Sequence, residues 1–257
     1  MNCPFCFHEN IQIICPSCGW STHDASEDLK LPEYEMVSIT PNEFWMGSPI
    51  SEEGRDPDEN LHLVLLTRKF QIGKTEVSQE IYEAIMDTNP SQFKGSNHPV
   101  ENISWEDAIH FCNKYSEMSG LEQAYTWLEG SIFCNFNANG YRLPTEAEWE
   151  FVAKSYSTDQ KDDHDQALHF ETNPVSTENA EISELLGNVW EFCWDFYGPY
   201  PTQKTTDPTG APSSPYRVIR GGSWVDGRRI RRASNRAFVS PDHRSETIGF
   251  RLAKTIT

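Results

Sequence analysis

The sequence predicts an α+β fold with sparse secondary structure over residues 34–257, following a small segment that binds a metal. Three stretches begin with helix-capping residues and continue with apolar side chains at helical spacing. Short stretches of alternating apolar and polar residues predict strands between them. The rest of the chain is polar or rich in Gly, Pro and aromatic residues. Helices set among short strands and long loops are typical of the α+β class.

Two strand regions are predicted ahead of the first helix. Residues 34–44 alternate apolar and polar side chains and run into a turn at 45–48. An acidic loop at 51–60 follows, and residues 61–72 return to strand character. Beyond Trp190 the composition does not allow individual strands to be assigned.

Three helices are predicted from their capping residues. Ser78, Ser104 and Thr145 each precede an amphipathic stretch, and Thr145 with Glu148 has the spacing of a capping box. The side chains predicted to be buried are Ile81, Ala84 and Ile85 on the first helix, Trp105, Ala108, Ile109, Cys112 and Tyr115 on the second, and Trp149, Val152 and Ala153 on the third.

Four of the seven cysteines lie near the N-terminus as two CxxC pairs, Cys3 with Cys6 and Cys15 with Cys18. Two such turns supply four thiolates, which are suitable ligands for tetrahedral zinc. The gap between the pairs is shorter than in most zinc ribbons. The spacing therefore predicts a compact zinc-ribbon-like segment at 1–24, folded largely by its metal, and a linker at 25–33. The alternative is four free thiols in an unstructured tail.

The composition bears on location and partners. A net charge of −18 argues against binding nucleic acid or an acidic membrane surface. The N-terminus lacks the basic and apolar regions of a signal peptide, and no apolar run approaches the ~18 residues of a membrane helix. Clustered cysteines suit a reducing compartment. We expect a cytoplasmic protein with neither nucleic acid nor a membrane as its partner.

An ordered set of motifs runs through residues 34–257, and together these motifs resemble the formylglycine-generating-enzyme, or sulfatase-modifying-factor, family. The resemblance implies the C-type-lectin-related fold of that family, with its sparse secondary structure. The motifs are FWMGS at 44–48, FQIGKTEVS at 70–78, PVENISW at 99–105, YRLPTEAEWE at 141–150, GNVWEF at 187–192, RGGSW at 220–224 and IGFRL at 248–252.

The resemblance also implies where catalytic residues would stand. The family's enzyme oxidises a sulfatase cysteine to formylglycine with copper(I), held by two cysteines just after the Gly-Gly-Ser-aromatic motif. Aligning on residues 221–224 puts Asp226 at the first cysteine, and four arginines within 228–232 fill the region of the second. Thiolates are the natural ligands of copper(I), and guanidinium groups repel it. We therefore expect no copper and no catalytic residues.

A second metal site of the family resembles this sequence more closely than the copper site does. Glu184, Gly187, Val189 and Glu191 align with a calcium-binding run, in which two side-chain oxygens and two backbone carbonyls surround the ion. Calcium prefers six to eight oxygen ligands, which such a curled loop partly provides. The resemblance thus predicts calcium as a cofactor. The alternative is that Glu191 accepts hydrogen bonds from the loop's own amides and no ion binds.

Residues 216–252 alternate scaffold positions with free positions. The scaffold positions are Gly221, Gly222, Ser223, Trp224, Asn235, Arg236, Pro241, Asp242, Arg244, Ile248, Gly249, Phe250 and Arg251. This spacing is similar to the variable cassette of retroelement-diversified proteins, which display changing side chains on the same fold. The free positions lie on the surface where the family's enzyme binds its substrate peptide, so we expect them to bind a ligand. They are Val225, Asp226, Gly227, Ile230, Ala237, Phe238, Val239, Ser240, His243, Ser245, Glu246 and Thr247.

These features together predict a non-catalytic recognition protein, in which a zinc-ribbon-like segment precedes a formylglycine-generating-enzyme-like domain at 34–257. Its partner would be a protein or peptide bound by the C-terminal loops. The alternative from another class is an oxidoreductase of the formylglycine-generating type with an unorthodox site. A third is a subunit of a larger assembly that docks through the zinc ribbon.

The zinc site can be tested by metal analysis of the purified full-length protein. We expect about one equivalent of zinc, because four thiolates complete one tetrahedral site. Replacing Cys3 and Cys6 with Ser should remove the metal, whereas Cys134→Ser, outside both pairs, should leave the zinc content unchanged. A folded protein that contains no zinc would contradict the prediction.

Overall fold

The computed structural model describes residues 31–156, 170–176 and 180–256. The chain divides into two units, Met1–Pro32 and Glu33–Thr257, and the described residues belong almost entirely to the second. The zinc-ribbon-like segment predicted at 1–24 and most of the linker predicted at 25–33 lie outside the described residues. The zinc site therefore stays a prediction.

Within the described residues the chain forms three helices and a larger number of short strands, which confirms the predicted α+β class. The helices are α1 (Gln79–Met86), α2 (Trp105–Met118) and α3 (Glu146–Tyr156). The strands are β1 (Met36–Ile39), β2 (Glu43–Met46), β3 (His62–Leu65), β4 (Phe70–Gly73), β5 (Tyr125–Leu128), β6 (Ser131–Cys134), β7 (Trp190–Phe196), β8 (Thr205–Thr206), β9 (Arg217–Arg220), β10 (Arg236–Val239), β11 (Ile248–Gly249) and β12 (Ala253–Thr255).

The described strands form three sheets and a separate hairpin. The four-stranded sheet, in the order β10-β9-β7-β11, contains the strands of the C-terminal cassette. In it β10 pairs antiparallel with β9, so that Phe238 lies opposite Val218 and Arg236 opposite Arg220. The other sheets have the orders β1-β4-β12 and β2-β3-β8, and β5 with β6 forms the hairpin.

The second and third helices begin at their predicted caps. Ser104 and Asp107 form a capping box at the start of α2. At α3, Thr145 Oγ1 accepts from the Glu148 amide at 3.1 Å, and the Glu148 carboxylate accepts from the Thr145 amide at 2.9 Å. This is the predicted capping box, and it satisfies two amides that the first turn leaves unpaired. The predicted apolar faces are buried: Trp105, Ala108, Ile109, Cys112 and Tyr115 on α2, and Trp149, Val152 and Ala153 on α3.

The first helix differs from its prediction in which residues are buried. Ser78 caps it as expected, but Ala84 is exposed rather than buried. Gln79, a polar residue, is fully buried instead, and its side-chain amide donates to the carbonyls of Phe93 at 2.7 Å and Pro99 at 3.2 Å. A polar side chain is stable there because the following loop supplies its hydrogen-bond partners.

The strand prediction at 34–44 is wrong in one respect, because this stretch holds β1 and the start of β2 rather than one strand. The break falls at Pro41, which has no amide hydrogen to donate to a neighbouring strand. β2 then continues into the turn predicted at 45–48, so the turn starts at Gly47, where φ is +88°. A Cβ atom there would lie 2.6 Å from the Asn60 carbonyl oxygen, so only glycine fits.

The hairpin of β5 and β6 was not predicted from the sequence. Three of the four residues of β5 are exposed, so the strand lacks the alternation of buried and exposed side chains that marks a strand in sequence. Its turn places Glu129 and Gly130 at positive φ. Asn113 of α2 fixes its base, donating to the Tyr125 carbonyl at 2.7 Å and accepting from the Tyr125 amide at 3.1 Å.

The apolar core lies around α3. Trp149 and Val152 pack in one cluster with Val64 of β3, Phe70 of β4 and Val218 of β9, and each of these side chains is fully buried. These three strands belong to three different sheets. One helix thus holds the sheets of the domain together.

The same helix also contributes buried charges. Glu146 and Glu150, one turn apart on α3, both bind Arg220 of β9. Arg236 of β10 reaches Glu146 with two hydrogen bonds, from Nε at 2.6 Å and from Nη2 at 2.9 Å. Buried charges are stable only when they are paired, so these contacts fix β9 and β10 against α3. Arg236 therefore belongs to the scaffold, as the cassette spacing predicted.

Truncating Arg220 to alanine should lower the free energy of unfolding by about 3–5 kcal/mol, because the substitution removes a buried cation that pairs with both Glu146 and Glu150. The matched control is Arg229→Ala, since Arg229 is 69% exposed and lies 3.7 Å from Asp56. That change should cost less than about 1 kcal/mol. Urea denaturation of both variants checks the difference, and equal losses would contradict the structural role of Arg220.

Candidate functional site

Asp226 lies where the resemblance places the first catalytic cysteine, and its carboxylate is bound to its own loop. Oδ2 accepts from the Ser223 amide at 2.9 Å, from Ser223 Oγ at 2.6 Å and from Trp190 Nε1 at 2.9 Å. A carboxylate oxygen with these donors is fixed in place. As positioned, Asp226 holds the loop after β9 rather than presenting a free side chain.

Arginines fill the region of the second catalytic cysteine, and one of them, Arg232, has several structural partners. Arg232 binds the carboxylates of Glu52 and Glu59 and donates to the Gly54 carbonyl at 2.9 Å. Burial raises the pKa of Glu59, but hydrogen bonds from Arg232 and Ser48 outweigh it and hold the pKa below its usual value. Arg232 therefore has a structural role in this region.

The twelve predicted ligand-binding positions are all exposed or half-buried. The structure brings them together in two groups. We call the first the tryptophan loops, residues 224–227 and 245–247. Trp224 Nε1 donates to the Glu246 carbonyl at 3.2 Å and the Trp190 amide donates to the Thr247 carbonyl at 2.8 Å, so that the two loops meet beside Trp190. Val225, Gly227 and Glu246 are exposed here, and Asp226, Ser245 and Thr247 are half-buried.

The second group, which we call the aromatic patch, centres on Phe238 of β10. The Phe238 side chain is 45% exposed, and its ring lies 4.3 Å from that of Tyr197 and 4.8 Å from that of Tyr216. Sequence reasoning missed both tyrosines, because only the pairing of β7, β9 and β10 brings their segments beside Phe238. The other predicted residues on or near this strand are Ala237, Val239 and Ser240, which are half-buried, and His243, which is exposed. Ile230, half-buried, lies in the loop before β10.

A cavity of about 400 Å³ opens beside the tryptophan loops, lined by Gln92, Phe93, Asn102 and Glu246. Of these residues only Glu246 was predicted. The Phe93 ring packs edge-on against Trp224 at 5.3 Å. Glu101, next to Asn102 in sequence, is fully buried and accepts from the Phe93 amide at 2.8 Å. Burial raises its pKa to about 7, although that hydrogen bond lowers it. Glu246 is the one carboxylate among the described residues that line this cavity.

The predicted calcium run contains a cation of the protein's own. Glu191 is fully buried, and its carboxylate accepts from Arg251 Nε and Nη2, both at 2.6 Å, and from Trp149 Nε1 at 2.8 Å. Arg251 Nη2 also donates to the Glu184 carbonyl at 3.2 Å. One guanidinium group therefore contacts the Glu191 carboxylate and the Glu184 backbone carbonyl. The described hydrogen bonds of the Glu191 carboxylate come from the side chains of Arg251 and Trp149, not from the amides of its own loop.

The family can now be stated from a direct comparison. Residues 21–256 match the family described as the sulfatase-modifying factor enzyme 1-like domain. The chain belongs to this family. Two relatives show how the domain is used elsewhere. The formylglycine-generating enzyme of Streptomyces coelicolor is 29% identical over 189 residues, covering 61% of this chain and 52% of that protein. The serine/threonine-protein kinase Pkn1 of Chlamydia trachomatis is 35% identical over 249 residues, covering 86% of this chain and only 38% of the kinase.

One solved structure resembles this sulfatase-modifying-factor domain over nearly its full length. Variable protein 1 of Treponema denticola is 30% identical, with a TM-score of 0.78, and the match covers 87% of this chain and 95% of that one. The predicted fold and the predicted resemblance to variable proteins are both confirmed by these comparisons.

No helix among the described residues has the length and apolar character needed to cross a membrane. No three His, Cys, Asp or Glu side chains within the described ranges come together as a metal-binding group. The calcium run relies partly on backbone carbonyls, so calcium binding stays a prediction.

Calcium binding at the run of Glu184, Gly187, Val189 and Glu191 should raise the melting temperature of the full-length protein, because a ligand of the native state stabilises it. Millimolar calcium supplies the test, with magnesium as the comparison ion. Glu184→Gln, at a half-buried position, should remove the shift. Glu191→Ala is unsuitable, since it would leave Arg251 buried and unpaired. If calcium leaves the melting temperature of the parent protein unchanged, the prediction is wrong and Arg251 is the cation that occupies this run.

Proposed function

We propose that this sulfatase-modifying-factor domain is a non-catalytic recognition module that binds a protein or peptide partner through its C-terminal loops. The observation on which the proposal depends is Asp226. A carboxylate that is satisfied by Ser223 and Trp190 stands where the family's enzyme needs a thiolate. Without soft ligands there is no holder for copper(I), so the loop is left with a structural and a binding role.

The pattern of buried and exposed residues along the cassette supports a surface that presents side chains to a partner. The predicted ligand-binding positions are exposed or half-buried, whereas most of the scaffold positions between them are buried. Exposed side chains on such a surface can change with little effect on folding, whereas Asp226 is an exception because it holds its own loop. The buried scaffold positions are Gly221, Gly222, Ser223, Asn235, Arg236, Ile248, Gly249, Phe250 and Arg251.

The chemistry of the face indicates the kind of partner. The aromatic patch offers exposed apolar area at Phe238, and aromatic side chains dominate many protein interfaces. Glu246 lines the neighbouring cavity beside Glu101, and the chain has a net charge of −18. A partner with an apolar anchor and a basic rim complements such a surface.

The structural relative supports the same interpretation. A protein named for its variability has this fold at 30% identity. From this relative we take only one idea for the proposal. The cassette presents side chains on its surface, and their identity determines which partner binds. Diversification of the cassette by a retroelement is part of this proposal.

The test is the triple variant Phe238→Ala, Val239→Ala and His243→Ala in the full-length protein. Its partner is first recovered from the native host by affinity capture, and its affinity is then measured by calorimetry. Loss of central aromatic contacts should weaken binding by about 30-fold or more. The free energy of unfolding should change by no more than about 1 kcal/mol, because these side chains are exposed or half-buried.

Two further variants separate recognition from folding. Val225→Ala with Glu246→Ala tests the tryptophan loops and should also weaken binding without unfolding the domain. Arg251→Ala should do the reverse and destabilise the fold by about 3–5 kcal/mol, because its loss leaves Glu191 unpaired. Normal binding by the triple variant, or its unfolding, would show that the aromatic patch is not the recognition surface. The N-terminal segment would then be the leading candidate.

A further inference from the structure

A second cavity, of about 520 Å³, lies outside the predicted ligand-binding positions, because none of the twelve lines it. Its walls are mainly apolar, formed by Met46, Ala147, Phe196 and several prolines of the segment 199–212. The start of α3 closes one side, and Arg236 and Tyr200 contribute to the lining. Apolar walls with a few polar groups are the usual composition of a small-ligand site.

Asp195 is the unusual polar group of this cavity. Its side chain is 2% exposed, and Oδ2 accepts from the Glu146 amide at the first turn of α3 at 2.9 Å. This is the one side-chain hydrogen bond that the described residues make with Asp195, and it uses only one of the two carboxyl oxygens. Burial raises the pKa of Asp195 well above its usual value, and the charge of Glu146 adds to this.

The arginines around Asp195 bind other groups. Arg236 binds Glu146, and Arg220 binds Glu146 and Glu150. Arg217 lies between the rings of Trp105 and Phe196, with its guanidinium carbon 3.6 Å from each centroid, and donates to the Trp194 carbonyl at 2.6 Å. No described cation lies within salt-bridge distance of Asp195.

Two more groups with hydrogen-bonding capacity line the same cavity. Thr205 Oγ1 is buried and has no hydrogen-bond partner among the described residues. His62 Nδ1 donates to the Asn60 carbonyl at 2.9 Å, so the neutral ring keeps Nε2 as an acceptor. Asp195, Thr205 and His62 therefore line the same cavity with acceptors that the described residues leave available.

We infer that this cavity binds an organic ammonium ion, with its cationic end at Asp195 and its hydrocarbon body against the apolar walls. An ammonium group has three donors and no acceptor, which complements the acceptors of Asp195, Thr205 and His62. Its charge stabilises the ionised form of Asp195, and the hydrogen bond between the two charged groups is of the strong kind. The source is a free amine or a lysine side chain of a bound peptide.

Calorimetry with paired probes on the full-length protein tests this inference. The free-amine arm compares 2-phenylethylamine with the neutral 2-phenylethanol, and the peptide arm compares Nα-acetyl-lysine methyl ester with Nα-acetyl-norleucine methyl ester. In at least one arm the cation should bind about tenfold or more tightly than its neutral partner. The arm with the larger preference identifies the source.

Three variants locate the site. Asp195→Asn keeps an acceptor for the Glu146 amide and should abolish the preference for the cation. Ala211→Phe fills the cavity from its rim, where the Ala211 amide bonds the Phe196 carbonyl, and should abolish binding of both members of a pair. Asp242→Asn, at an exposed carboxylate outside the cavity, should change nothing.

Three results would overturn the inference: equal binding of cation and neutral probe, no binding of any probe, or cation binding that survives Ala211→Phe. Should Asp195→Asn fail to fold, the probe pairs and Ala211→Phe still decide between these outcomes. The recognition function proposed above depends on the aromatic patch and the tryptophan loops. The recognition function is therefore tested by different variants from those that test the ammonium site.

Discussion

The burial of three glutamates on α3 is the constraint on which the rest of the described structure depends. Glu146, Glu148 and Glu150 are between 0% and 3% exposed, which is tolerable only because arginines from other segments reach them. Arg142 precedes the helix and binds Glu148, and Arg220 arrives from a strand some seventy residues later in the chain. The Arg142 pair is local, but the Arg220 pairs need the distant strand in place before their charges are satisfied. The pairs therefore select one arrangement of helix and sheet among the many that short strands would allow.

This arrangement explains why the C-terminal face can vary. Arg220 of β9 and Arg236 of β10 point toward α3, and Arg251 near the chain end binds Glu191 of β7. These buried contacts fix the strands, so the exposed side chains of the same strands contribute little to folding. Phe238 is the clearest case: it lies on the same face of β10 as Arg236 and both contact the Tyr197 ring, but Arg236 is buried whereas Phe238 is 45% exposed. A display surface and a rigid support are thus separated at the level of single residues on one strand.

The sequence predicted local features well and long-range ones poorly. The caps at Ser104 and Thr145 and the buried helical faces follow from neighbouring residues, so a single sequence reveals them. The β5–β6 hairpin was missed because its side chains are mostly exposed and produce no buried alternation. The tyrosines of the aromatic patch and the cavity at Asp195 come from segments that only sheet pairing joins. No spacing in the sequence signals such neighbours, and the predicted strand at 34–44 was split by one proline.

The buried acids that lack an arginine are the exceptions in this network. Arg251 contacts Glu191 with two nitrogens, so one guanidinium is committed to one carboxylate. The charge of Arg251 also acts on Glu76, yet neither carboxyl oxygen of Glu76 has a hydrogen-bond partner among the described residues. Burial raises the pKa of Glu76 well above its usual value, and the charge of Glu191 adds to this, which favours the neutral acid. A neutral acid needs no counter-charge, so Glu76 is compatible with a closed interior. Asp195 differs because its carboxyl group lines an open cavity, where a cation arriving from outside can supply what the protein's arginines do not.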